Sequence, residues 1–347
     1  MSVKGCIGII VPVYNVEAYL ARCLDSLLNQ RYENFVIVLV NDASTDSSRQ
    51  ICLNYQLREK RVIFMDADSN AGLASVRNKA LRILERGNER VEALQGFIEG
   101  VEIHTQLEYI PVVDYIMFVD SDDYISPSAL ETIIADFGAN DVDICIYNRH
   151  YVVNARGEVG VGGYEIFRKV QESRIYQPLE LIKSDPSNFI TTAWAFVYKT
   201  SFFFSHHLRF IDGILYEDVP FCTQSFLGAS SVYVSLTPWY YYFLSPTSTM
   251  RGAMSAQKTR KAFESWLRIL EFFIARYEER VSSDRESALL GRFYRASLQR
   301  CVKRIFELLC ECGYSENTPK CALKPYLPYI KGKYRLFYHC PRLKKIL

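Results

Sequence analysis

Four apolar runs of strand length, none alternating with polar residues, constrain this chain more than anything else in it. They cover residues 7–13, 35–40, 62–65 and 115–119. A strand that is apolar on both sides must be covered on both faces. The segment after Asn15 has the other periodicity. Tyr19, Leu20, Cys23, Leu24, Leu27 and Leu28 fall on one side of a helix, with Asn15 as its expected N-cap. A loop at 66–72 leads into a second helix over about 73–84. Strands alternating with amphipathic helices predict an α/β fold, a mixed and mainly parallel sheet flanked by helices.

In such sheets ligands bind beyond the carboxyl ends of the strands. Tyr14 and Asn15 end the first run, Asp42 the second, and Asp120 and Asp122 the fourth. Asp120, Ser121, Asp122 and Asp123 follow directly on the apolar residues 115–119. Three carboxylates at the end of a buried strand repel one another unless a cation sits among them. Hard divalent cations such as Mg²⁺ or Mn²⁺ take oxygen ligands, and Mg²⁺ fills much of its shell from water and substrate phosphates. An Asp-x-Asp there suggests a site for a metal-bound diphosphate. Read alone, the tetrapeptide is an acidic loop or helix cap; three strand ends meeting at one crevice argue for function. There is no G-x-G-x-x-G and no G-x-x-x-x-G-K-[ST], so neither a dinucleotide fold nor a P-loop is supported.

The 347 residues are 49% hydrophobic and 23% charged, as in a soluble globular protein, and a net charge of +2 argues against nucleic-acid binding. The ten cysteines are scattered, with Cys310 and Cys312 the closest pair, which predicts reduced thiols in the cytoplasm. The first apolar run is too short for a secretory signal and Pro12 interrupts it. No stretch is long enough to span a bilayer. Short aromatic runs at 144–147, 193–198 and 239–243 predict further strands of the mixed sheet. Residues 255–312 are helical in pattern, with Phe263, Trp266, Leu267, Leu270, Phe273 and Ile274 as one packing stripe. That surface leaves room for self-association into an oligomer. After Glu316 the chain has no acidic residue, and Lys320, Lys324, Lys331, Lys333, Arg335, Arg342, Lys344 and Lys345 interleave with Tyr326, Tyr329, Tyr334, Phe337 and Tyr338. This tail reads equally as peripheral contact with an anionic membrane surface or as a solvated segment.

Five ordered blocks over residues 7–250 resemble family 2 glycosyltransferases, which have the GT-A (Rossmann-like) fold. The opening Ile10-Val11-Pro12-Val13-Tyr14-Asn15-Val16-Glu17 is one. Val40-Asn41-Asp42-Ala43-Ser44-Thr45-Asp46 is similar to the family's DDxSxD loop, with Asn41 at the first Asp. Asn70-Ala71-Gly72-Leu73-Ala74-Ser75-Val76-Arg77-Asn78 resembles its NxGxxxARN segment, and Phe118-Val119-Asp120-Ser121-Asp122-Asp123 its hhDSDD metal motif. Leu208-Arg209-Phe210 through Tyr216-Glu217-Asp218-Val219-Pro220-Phe221 resembles its acceptor-side EDxxF element.

The resemblance implies an inverting transfer of a sugar from a nucleotide-sugar, a UDP-sugar by preference, to a glycan or lipid-linked acceptor in bacterial surface-glycan synthesis. Pro12, Tyr14, Asn15 and Glu17 would wall the base pocket and Asp42 would hydrogen-bond the base. Arg77, Asp120 and Ser121 would face the nucleotide. Asp122, with Asp120, would hold Mn²⁺ or Mg²⁺. Asp218 would be the base for the acceptor hydroxyl, with Glu217 the alternative, and Trp194 a candidate sugar platform. Asp123 is expected to cap the helix starting near Pro127. The resemblance divides the chain into a glycosyltransferase domain at 1–252 (donor half 1–125, acceptor half 126–252) and a helical region with its basic tail at 253–347. An insertion at about 86–112 is expected as a helical hairpin or lid. Many relatives carry a basic residue where this chain has Tyr242-Phe243; Arg251 or His207 are candidates to replace it. A non-catalytic nucleotide- or partner-binding module is the alternative. A nucleotidyltransferase ranks last, because Glu17 stands where a triphosphate would need glycine and basic residues.

Overall fold

The computed structural model describes residues 5–162, 165–186, 191–245, 255–280, 285–311, 323–330 and 335. Thirteen strands are described: β1 (Ile7–Val13), β2 (Phe35–Asp42), β3 (Val62–Ala67), β4 (Val101–His104), β5 (Tyr115–Phe118), β6 (Tyr124–Ile125), β7 (Ile144–Tyr147), β8 (Tyr151–Val153), β9 (Val159–Val161), β10 (Arg174–Tyr176), β11 (Phe196–Lys199), β12 (Val232–Ser235) and β13 (Tyr240–Phe243). Nine helices accompany them: α1 (Glu17–Leu28), α2 (Ser48–Arg58), α3 (Leu73–Leu84), α4 (Ala129–Ala139), α5 (Pro178–Ser184), α6 (Thr200–Ser205), α7 (Asp218–Gly228), α8 (Ala256–Arg280) and α9 (Arg285–Glu311).

The main sheet has nine strands in the order β10-β12-β7-β11-β5-β1-β2-β3-β4. Its centre, β5-β1-β2-β3, is parallel, and β4 and β11 pair antiparallel. Every residue of β1 and β2 is buried, as continuous apolar runs require. α3 packs on β1 and β2, and α2 on β2 and β3. A second sheet, β6-β13-β8-β9, starts just past the acidic motif. The 239–243 run was expected in the main sheet and instead supplies β13 of this smaller one, because β13 pairs with β6 and β8.

Three local expectations are corrected. Residues 86–112 do not form a helical hairpin. They give a short 3-10 turn at Val91–Leu94 and β4, which pairs antiparallel with β3 as an edge strand. The alternating burial of β4 suits such an edge, and the open ladder of β3 is what selects strand over helix. Second, α1 starts after Val16. Asn15 sits in the left-handed region (φ 50°), and its Oδ1 accepts the Thr45 amide at 2.8 Å instead of capping α1. Third, α4 begins at Ala129 after Ser128, so Asp123 caps nothing there.

The chain divides into two compact units. One comprises Met1–Pro178, Ile190–Gly213 and Glu217–Gly252; the other comprises Leu179–Phe189, Ile214–Tyr216 and Ala253–Leu347. In the second, α8 packs on α9 through a buried face that includes Phe263, Trp266, Ile269, Leu270 and Phe273. Of the basic aromatic tail, only Lys324, Tyr326, Tyr329 and Arg335 lie among the described residues. There the Tyr326 and Tyr329 hydroxyls bond Glu271 and Glu278 of α8. Among the described residues, no helix is long and apolar enough to cross a membrane.

Candidate active site

The carboxyl ends of β1 and β2 are laced together by reciprocal helix capping. Glu17 at the start of α1 accepts the Ser47 amide (2.8 Å), while Asp46 accepts the Glu17 amide (3.0 Å) and the Ser48 amide (2.9 Å). Carboxylates at two helix N-termini are favourable with both dipoles. Pro12 is buried in β1, and Tyr14 beyond it is 48% exposed, a free ring at the rim.

Asp42 is buried, and its two oxygens accept the amides of Ala71 (2.9 Å) and Gly72 (2.8 Å). Gly72 has φ 86°, which only glycine adopts without strain, and it is the N-cap of α3. This is the physical content of the Asn-x-Gly spacing: a carboxylate on β2 grips a turn that starts α3. Asn41, the departure from the family's paired aspartates, has a partner on the next strand. Its Nδ2 donates to Asp66 Oδ1 (2.8 Å), and Asp66 also receives Arg49 Nε (2.5 Å). An aspartate at 41 would face a carboxylate there; asparagine supplies the donor.

α3 then reaches across the site with two successive side chains. Arg77 was expected at the nucleotide; it is only 3% exposed. Its Nη2 bonds Asp120 (2.9 Å) and its Nη1 bonds Glu217 (2.8 Å), while the guanidinium lies over the rings of Phe118 and Phe210. Asn78 exchanges bonds with the backbone of Phe210, donating to its carbonyl and accepting its amide, each at 3.0 Å. Phe210 stacks on Phe221, centroids 3.7 Å apart. One buried arginine therefore joins the acidic strand end of β5 to the Glu217-Asp218 pair at the start of α7.

The acidic motif is shaped by β13. The Tyr240 hydroxyl donates to Asp123 (2.7 Å) and accepts the Asp120 amide (3.1 Å), and the Phe243 amide donates to the other Asp123 oxygen (2.7 Å). Asp123 is thus a buried anchor for β13, which is why it does not cap a helix. Ser121 is buried; Asp120 keeps its side chain 30% exposed. Burial together with the nearby Asp120 charge pushes the Asp122 carboxyl up to about 6, against a hydrogen bond from its own main-chain amide.

At α7, burial pushes Glu217 up to about 7 against the pull of Arg77. Burial also raises Asp218, whose carboxylate accepts the Thr192 amide at 3.0 Å. Thr192 (φ 93°) and Tyr216 (φ 62°), which flank this pair, take left-handed backbone, as do Asn15 and Ala43 at the ends of β1 and β2. Such conformations cost about 1–3 kcal/mol each and concentrate at functional sites. Trp194 is 5% exposed and stacks on Tyr240 at 4.3 Å, so the ring packs inside the protein and offers no open sugar platform. His207 is exposed beyond α6, and Arg251 lies outside the described residues.

On this mainly parallel sheet, an Asp-x-Asp at a central strand end is joined through one arginine to an acidic helix start. The Glycosyl transferase family 2 profile matches residues 8–85 and 112–204, and the interruption coincides with the β4 insertion. The chain belongs to glycosyltransferase family 2. It is 33% identical over 221 residues to Glycosyltransferase GlyA of Streptococcus pneumoniae, an alignment covering 63% of this chain and 27% of that one. It is 28% identical over 258 residues to the glycosyltransferase EpsJ of Bacillus subtilis, covering 70% of this chain and 62% of that one. The chain thus spans about a quarter of the first relative's length and under two thirds of the second's. Among solved structures, S. aureus TarS in complex with UDP-GlcNAc has the same fold, with a TM-score of 0.63 at 21% identity, covering 98% of this chain and 88% of that one.

Proposed function

We propose that this chain is an inverting, metal-dependent glycosyltransferase. It moves a sugar from a UDP-sugar to a hydroxyl of a glycan or lipid-linked acceptor in bacterial surface-polysaccharide or lipooligosaccharide synthesis. Residues 1–252 do the chemistry; residues 253–347 form an accessory helical region whose basic tail meets the inner face of the membrane. The observation that carries this reading is Arg77, which bonds Asp120 at 2.9 Å and Glu217 at 2.8 Å and so makes one site of two sequence-distant motifs.

The donor set fits a divalent cation. The Asp122 carboxylate lies beside that of Asp120, in a neighbourhood with surplus negative charge. Among the described residues no group of three or more metal-ligating side chains is gathered, which suits an ion whose shell is mostly diphosphate and water. Asp122, with Asp120 beside it, would hold the ion, which when bound neutralises charge developing on the departing diphosphate.

The chain's own residues supply the rest. The exposed Tyr14 ring stacks on the base, Pro12 lies just before it, buried in β1, and Asn15 and Glu17 hold that wall rigid through their bonds to the loop after β2. Asp42 sets the turn that the base meets, and Ser121 lines the nucleotide. Asp218 receives the acceptor proton as the new oxygen–carbon bond forms at the anomeric carbon and the bond to the diphosphate oxygen breaks. Glu217, tied to Arg77, holds the base in place.

Binding and transfer separate the roles. A thermal-shift screen of UDP-, GDP-, CMP- and dTDP-sugars is expected to favour a UDP-sugar with Mn²⁺; the UDP-GlcNAc complex of TarS makes that donor the first to try. Asp122→Ala should abolish the Mn²⁺-dependent shift. Asp218→Asn should keep the shift and lose at least about 100-fold in transfer rate. Full transfer by either variant would overturn the assignment, and nucleotide binding with no turnover on any acceptor would favour a binding module.

A further inference from the structure

Arg22 lies behind the acidic motif and is used by none of the chemistry above. It projects from α1, and its Nη2 donates to the main-chain carbonyl of Asp122 at 2.8 Å. Its guanidinium carbon is 4.3 Å from the ring centroid of Phe243 and 4.8 Å from that of Tyr124, with Tyr19 at 6.0 Å. Its Nε is buried with no hydrogen-bond partner, and no carboxylate forms an ion pair with it among the described residues. A surface arginine keeps its water. This one is half-buried and lies against ring faces, which a planar, weakly hydrated guanidinium does well.

The clamp is fastened to the motif on both flanks. Tyr124 stands two residues after Asp122, and the Phe243 amide donates to Asp123 at 2.7 Å. The rings fix the guanidinium, and the guanidinium fixes the main chain of Asp122, whose carboxylate lies beside that of Asp120.

We propose that Arg22 is a positioning residue for the cation site: the Tyr124–Phe243 clamp holds its guanidinium, and its bond to the Asp122 carbonyl sets the direction of the Asp122 carboxylate. Cation affinity then depends on a side chain that touches neither cation nor sugar. Charge alone predicts the opposite sign. A fixed positive charge next to the site repels a cation, so removing it would tighten binding; removing a positioning bond loosens it.

The inference rests on Asp122 as a metal ligand, so the first measurement is Mn²⁺ binding to the wild-type protein with UDP, by the paramagnetic resonance of free Mn²⁺. Loss of that binding in Asp122→Ala supports the underlying reading; no binding to the wild type defeats both. Given wild-type binding, Arg22→Gln and Arg22→Lys should each bind Mn²⁺ about 10-fold more weakly, the size usual for residues that orient metal ligands. The transfer rate at saturating Mn²⁺ should stay near the wild-type value. Tyr124→Leu leaves the arginine in place and should weaken Mn²⁺ binding in the same direction, and less than additively when combined with Arg22→Gln. If Arg22→Gln fails to fold, Tyr124→Leu decides alone. Unchanged or tighter Mn²⁺ binding in the folded variants overturns the proposal.

Discussion

Arg77 is the residue on which the two halves of the site turn. A buried guanidinium between two carboxylates is satisfied only while both partners stay, and removing it leaves buried charge uncompensated. Arg77→Met should cost about 3–5 kcal/mol in urea unfolding. Arg77→Lys should recover little, since one ammonium cannot span both bonds as a planar fork does. The same cluster sets the pH dependence of transfer. Asp218 must be ionised to accept a proton, and burial raises it, so kcat/KM should fall as pH drops, with its midpoint above the usual aspartate range. A limb at or below about pH 4 would count against Asp218 as the base. Asp120 and Asp122 drew attention in the sequence because acidic pairs at a buried strand end are costly without a purpose; Glu217 and Asp218 did so only through the family resemblance, since acids at a helix start are favourable with its dipole. The Asn41–Asp66 and Arg22–Asp122 partnerships did not. They join residues 25 and 100 positions apart, and nothing local marks either member.

At the scale of the element, Gly72 and Tyr240 carry the clearest expectations. Open space surrounds Gly72, so only its φ of 86° resists substitution. Gly72→Ala should destabilise the fold by about 1 kcal/mol and loosen the turn that Asp42 grips, read as a lower melting temperature and faster amide exchange at the start of α3. Tyr240→Phe removes the hydroxyl that joins Asp123 to the Asp120 amide and should cost about 1–3 kcal/mol. The parallel strands, α1 and α3 were readable from the sequence, while α2 was not. β4 was not, because its four residues become a strand only by pairing with β3. The base of that excursion is pinched by backbone bonds between Asn88 and Ile110 (2.8 Å) and between Ile110 and Glu89 (2.9 Å). Replacing 90–108 with a short turn should therefore preserve Mn²⁺-dependent nucleotide binding, while baring β3 as an edge and raising its tendency to aggregate.

For the molecule as a whole, the buried acids set how stability responds to pH. Asp122, Asp123, Asp136, Glu217 and Asp218 are all raised, chiefly by burial. Over the window from about pH 4 to about 7 the folded state therefore binds more protons than the unfolded one, and stability falls as pH rises. His150, lowered by burial, has the opposite sign, as do Asp46, lowered against burial by the hydrogen bonds it accepts, and Glu59, lowered by those it accepts, three groups against five. The protein without metal should melt higher near pH 5 than near pH 7.5. Mn²⁺ with UDP should reverse that order, because the cation favours the ionised carboxylates. The same melting temperature at both pH values without metal would argue against the strained acidic cluster.

The sequence by itself determined the alternation of strands and helices, the burial of β1 and β2, and the strand ends where the candidate site residues fall, since period and strand-end chemistry are written in neighbouring residues. Only the tertiary structure decided that Arg77 is a buried strut, that β13 belongs to a second sheet, that Trp194 is covered, and that α1 supplies the clamp behind Asp122. Those outcomes depend on which distant surfaces meet, and contact across a sheet leaves no signature in the spacing of one chain segment.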